Sequence, residues 1–86
     1  MNNDSFRQVE ILRDPDGVIA VVTERVSNGR ISFAIFNEFE RDGQTQRSSF
    51  LGARHLPAVE RLVAELRRNL ELWEDQARAR RRAEVG

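Results

Sequence analysis

The chain is expected to fold as one α+β domain, a four-stranded antiparallel β-meander followed by one long C-terminal α-helix, and three observations predict it. Evenly spaced turn signals, Asp14-Pro15-Asp16-Gly17, Asn28-Gly29 and Asp42-Gly43, divide the first half of the chain. The segments between them are rich in β-branched and aromatic residues, as strands require. After Gly52 the apolar residues change to helical spacing, with Val59, Leu62, Val63, Leu66, Leu70 and Trp73 on one stripe. The expected organisation is a flexible N-terminus over residues 1–5, a single ββββα domain over residues 6–75, and a basic helix end or disordered tail over residues 76–86.

The four strands are expected over Phe6 to Arg13, Val18 to Val26, Arg30 to Glu40 and Thr45 to Leu51. Asp14-Pro15-Asp16-Gly17 suits a type I turn, with proline's φ preset at the second position and glycine at the end. Asn-Gly and Asp-Gly favour the two-residue type I′ turn, in which both central residues take φ > 0. That turn sets the register, so the expected pairs are Val26 with Ile31, Glu24 with Phe33, Val22 with Ile35 and Ala20 with Asn37. The last hairpin should pair Glu38 with Arg47 and Ile35 with Phe50.

One face then gathers Val18, Ala20, Val22, Val26, Ile31, Phe33, Ile35, Phe39 and Phe50 and is expected to be the core. The other carries Ile19, Val21, Thr23, Arg25, Arg30, Ser32, Ala34, Phe36, Glu38, Arg47, Ser49 and Leu51, a mixture that suits contact with a partner. A one-residue slip in the first hairpin exchanges Val9 and Ile11 with Gln8 and Glu10, so the facing of the first strand stays open.

The helix is expected to start near Leu56, with Pro57 in the first turn, where its missing N–H costs nothing. Running to about Arg82 it would be roughly 40 Å long, more than a small four-stranded sheet covers. Leu66, Leu70 and Trp73 are therefore the expected dimer interface, with Trp73 capping the chain's own core as the alternative. Arg78, Arg80, Arg81 and Arg82 either complement the helix dipole or form a basic arm that contacts phosphate.

Composition narrows the function classes. An 86-residue chain buries only about 60% of the surface its unfolded form exposes, which makes self-association an expectation. Formal charge is zero, and all 14 cations are arginine, the side chain suited to bidentate phosphate contact and to stacking. No cysteine is present, so disulfide, zinc-finger and thiol chemistry are excluded. No apolar run approaches the roughly 20 residues that span a bilayer, and the N-terminus lacks a signal-peptide pattern, so a cytoplasmic location without membrane association is expected. His55 alone cannot assemble a metal site and is expected to serve the helix start or an exposed polar contact. Nucleophile-elbow, Walker and dinucleotide-binding motifs are all missing, so no catalytic residue, cofactor or enzymatic activity is expected.

A strand meander, then Phe50-Leu51-Gly52, then a helix carrying Leu56, Val59, Leu62 and Leu66 resembles the transcriptional-coactivator family of small single-stranded-DNA-binding proteins. That family is positive cofactor four and its C-terminal-domain-like relatives; the Whirly-type fold is a more distant likeness. The resemblance covers roughly Phe6 to Trp73 and lies in topology more than in motif residues. It implies a homodimer whose curved sheets hold unpaired strands, with Arg25, Arg30 and Arg47 on phosphates and Phe36 against bases. The lysine-rich strands typical of the family are absent.

Three functional expectations follow, the third being a DNA-binding regulator that uses the basic helix end on duplex DNA. The first is a dimeric binder of single-stranded DNA or RNA, serving transcription or genome maintenance. The alternative is a protein-interaction or inhibitor module that docks a protein partner and binds no nucleic acid. Arginines converging on one groove favour the first; arginines paired with Glu24, Glu38 or Glu40 favour the second.

Overall fold

The computed structural model describes residues 5–85, and its elements are β1 (Phe6–Arg13), β2 (Val18–Arg25), β3 (Ile31–Arg41), β4 (Gln44–Ser48), a 3₁₀ turn (Ala53–His55) and α1 (Leu56–Val85). The strands form one antiparallel sheet in the order β1-β2-β3-β4, and α1 follows, the layout the turn signals and the change of period predict. Residues 1–4 of the expected flexible segment lie outside the described residues. Ser5 is held, because its carbonyl accepts the Val26 N–H at 2.9 Å.

The first turn forms as its residues dictate. Gly17 donates its N–H to the Asp14 carbonyl at 3.0 Å, the Asp14 carboxylate accepts the Asp16 N–H at 3.0 Å, and Gly17 takes φ +89°. At Asp42-Gly43 both residues take positive φ, +53° and +76°, between the paired Arg41 and Gln44, which is the two-residue hairpin expected there.

The Asn28-Gly29 hairpin departs from expectation. Its loop has four residues, Val26 to Gly29, closed by Arg25 N–H to the Arg30 carbonyl at 2.9 Å and by Gly29 N–H to the Arg25 carbonyl at 2.7 Å. Only Gly29 takes positive φ, +73°. Asn28 spends its side chain locally, Oδ1 accepting the Arg30 N–H at 2.9 Å, and its carbonyl accepts Arg81 Nη1 at 2.8 Å. The wider loop moves the register by two, to Glu24 with Ile31, Val22 with Phe33, Ala20 with Ile35 and Val18 with Asn37. Because the step is even, the paired residues of β2 and β3 keep their expected faces.

β1 settles its own facing with a bulge. The register shifts between Gln8 and Glu10, which lets Val9 pack half-buried against the core while Leu12 is fully buried opposite Ala20. Ile11 lies on the outer face opposite Val21.

The core is narrower than the apolar alternation suggests. Leu12, Val18, Ala20 and Val22 meet Ala58, Leu62, Leu66 and Trp73 of α1. Phe33 and Phe39 share that sheet face yet stay 56% and 38% exposed. Strands about 4.8 Å apart place the outermost axes of four roughly 14 Å apart, and a helix about 10 Å wide cannot cover them all. It is centred on β2, touches β1 on one side and Ile31 and Ile35 of β3 on the other, and leaves Phe33 and Phe39 of β3 open. The expected Ile35–Phe50 pair is absent, because β4 ends at Ser48 and the Ser48 Oγ accepts the Phe50 N–H at 3.1 Å, turning Phe50 outward.

The C-terminal half of α1 also corrects the expectation. It stays helical through Val85 and runs along its own sheet toward the β2–β3 loop. Trp73 and Ala77 are 3% and 1% exposed, and an added Cβ on Gly29 would meet the Ala77 Cβ at 3.5 Å. Trp73 and Leu66 are thus buried within the chain, and of the expected interface trio only Leu70 is open, at 42%. The β2–β3 hairpin extends far enough to give the long helix its surface.

Candidate interaction surfaces

Two buried carboxylates pin the helix to the sheet. Asp14 accepts Arg61 through both oxygens, Nε to Oδ2 at 2.8 Å and Nη2 to Oδ1 at 2.9 Å, and Arg61 reaches Asp16 at 3.0 Å. The Arg61 hydrogen bond, with help from the Asp16 N–H, holds the Asp14 carboxyl down at about 2; Arg61 is raised in turn by Asp14. At the other end Glu24, 1% exposed, accepts Arg80 on one oxygen and Arg7 at 3.4 Å on the other. Arg81 bonds the Asn28 carbonyl and Arg78 pairs with Asp75, so only Arg82 of the expected basic arm stands exposed without a described contact.

The outer face of the sheet keeps Arg25, Arg30, Phe36 and Arg47 on one side, as alternation requires, but does not bring them together. Arg25 and Arg30 adjoin at the β2–β3 loop, where the Arg25 guanidinium lies 5.7 Å from the Phe6 ring centroid. Arg47 sits opposite Glu38, eight residues along β3 from Arg30, a separation of roughly 26 Å at 3.3 Å per residue. Phe36 lies between, half-buried beside Ile19.

Glu38 accepts Arg13 Nη1 at 2.6 Å and Arg47 Nε at 3.3 Å. The Arg13 bond, then the Arg47 bond, lower its carboxyl below the usual range. Arg13 belongs to β1 and Glu38 to β3, so their pair crosses β2, and Ile19 beneath is only 1% exposed. The outer face therefore carries a closed Arg13–Glu38–Arg47 bridge at one end and an aromatic-backed arginine corner at the other.

The helix side holds what sequence reasoning missed. An apolar groove of about 350 Å³ opens between α1 and β3, lined by Ile31, Phe33, Val63, Leu66, Leu70 and Trp73. Its rim is Phe33 and Leu70, and the same flank of α1 continues through Val59 to Leu56, which is 57% exposed. The signal was legible as a width: one helix and four strands leave one side of the sheet uncovered.

A second cavity of about 360 Å³ lies at the start of the helix, between Asp16, Asn37, Phe39, Arg54 and His55. His55 is buried there, and its Nδ1 accepts the Gly52 N–H at 2.9 Å, so the imidazole caps the helix start as expected. Among the described residues no three His, Asp or Glu side chains gather as a metal set, and no helix is long and apolar enough to cross a membrane. No family model, curated protein or solved structure matches the chain.

Proposed function

We propose that the chain is a non-catalytic protein-association module that contacts its partner through the open flank of α1 and the uncovered part of β3. One observation carries this reading. Phe33 and Leu70 stand 56% and 42% exposed on the rim of an apolar groove, while the outer-face cation Arg47 is bonded to Glu38. A contiguous exposed apolar patch marks an interaction site, and covering it recovers apolar area that the single helix leaves wet. The test is affinity capture of bound proteins from the cells that make the chain, comparing wild type with Leu70→Glu, Phe33→Glu, Arg30→Ala and Arg47→Ala. Loss of association in the two groove variants alone supports the reading. Loss in Arg30→Ala or Arg47→Ala with retention in Leu70→Glu overturns it.

A second reading, binding of single-stranded DNA or RNA across the outer face, is favoured by one specific observation and by the resemblance to the positive-cofactor-four family. Arg25 lies over Phe6, itself 56% exposed, beside Arg30, which sets two cations and an aromatic ring at one corner. Cations combined with stacking rings are what sequence-tolerant strand binders employ. Fluorescence anisotropy with a labelled oligonucleotide of about 20 nucleotides at two salt concentrations tests it; each lost phosphate contact should flatten the salt dependence. Absence of binding at low salt removes this reading.

A further inference from the structure

We infer that the partner on this groove is a second copy of the same chain, docked antiparallel about a two-fold axis that passes close to Val63. The inference rests on the protein-association reading above and names its occupant.

The first argument is area. A folded monomer of 9.9 kDa should expose about 5,200 Å² by the usual size scaling, yet this chain exposes 6373 Å². The excess of about 1,200 Å² is more than the roughly 800 Å² that each partner contributes to a standard interface. Its radius of gyration, 15.1 Å, also exceeds the about 12 Å of a compact chain of this length. The chain has the surface and the shape of half of something larger.

The second argument is self-complementarity. A two-fold contact requires that the flank match itself read backwards. On the open flank of α1, Leu56 lies seven residues before Val63 and Leu70 seven after it, and both are exposed. Antiparallel pairing about Val63 sets Leu56 of each copy against the partner's Leu70 and Val63 against itself. Glu60, three residues before the axis, then faces the partner's Arg67, four after it, and symmetry makes that ion pair twice. Sliding one helix a single turn past the other, which moves the axis half a turn toward the C-terminus, sets Leu70 against Glu60 instead. Phe33 closes the groove from the sheet side.

The chain has no cysteine, which makes a direct test available. Purified Val63→Cys should oxidise to a covalent dimer on a non-reducing gel, whereas Leu72→Cys, on the opposite side of α1, should stay monomeric. Light scattering of the wild type should give twice the 9.9 kDa chain mass. Glu60→Arg should halve that mass, and Glu60→Arg with Arg67→Glu should restore it. Both residues are exposed, so circular dichroism should show both variants folded. A monomeric wild type at about 100 µM overturns the inference, as does a dimer indifferent to Glu60→Arg or a Val63→Cys chain that fails to cross-link. If the purified chain is monomeric while Leu70→Glu still abolishes capture of another protein, the groove reading survives and the second copy alone is wrong. If neither happens, both fall.

Discussion

Arg80→Ala tests whether the end of the helix is latched or is a free arm. Glu24 is 1% exposed, and its two partners are Arg80 and, at 3.4 Å, Arg7. Removing Arg80 leaves a buried carboxylate with one long contact. A hydrogen bond to a charged group contributes about 1.5–3 kcal/mol, and breaking a fully buried ion pair costs about 3–5 kcal/mol. The upper range does not apply, because the Arg80 side chain is 36% exposed and screened, and its buried Nε lacks a partner, which offsets part of the gain. The expected loss is therefore about 2 kcal/mol, or roughly 8–16 °C in melting temperature for a domain of this size. Thermal unfolding followed by far-UV circular dichroism measures it, with Arg82→Ala as control, expected within about 0.5 kcal/mol of wild type. Equal melts for the two variants would refute the latch and return the tail to the basic-arm reading.

Three further outcomes follow from the same contacts. Because the folded Asp14 carboxyl titrates at about 2 against an ordinary 3.8, the unfolded chain takes up its proton first as pH falls. Its contribution is thus complete above about pH 4 and fades toward pH 2, so Asp14→Asn should flatten the acid limb of a stability-versus-pH curve and leave its shape above pH 5 unchanged. Gly29→Ala should be worse than Gly43→Ala by about 1 kcal/mol: both glycines have positive φ, but a Cβ on Gly29 would stand 3.1 Å from Arg81 Cδ and cost the Arg81–Asn28 bond, while Gly43 faces open space. Paired urea titrations give that difference. Trp73→Ala should cost about 3–5 kcal/mol of stability without changing the mass of the folded species, whereas Leu70→Glu should change the mass and make the melt independent of protein concentration. The reverse pattern would place Trp73 at the interface after all.

Much of this architecture is local and therefore written in the chain. Asp14-Pro15-Asp16-Gly17 and Asp42-Gly43 set their turns because proline and glycine restrict or free φ within a few residues, whatever surrounds them. The strand faces and the start of α1 at Leu56 follow from periods of 2 and 3.6 in the apolar residues, which is why even the mistaken β2–β3 register left the paired residues of those two strands on their expected faces. Tertiary structure settled the quantities that depend on how far one element reaches across another. Asn28-Gly29 opens to four residues where the tail of α1 packs against it, and Val9 turns inward only through a bulge opposite β2. Trp73 is buried, and Phe33 is left exposed, because one helix centred on β2 does not cover the full width of a four-strand sheet. The pairing of arginines with acids is decided the same way. Arg13 and Glu38 stand 25 residues apart and Arg80 and Glu24 stand 56 apart, and no spacing along the sequence announces that folding brings them together and so fixes which cations are left for a partner.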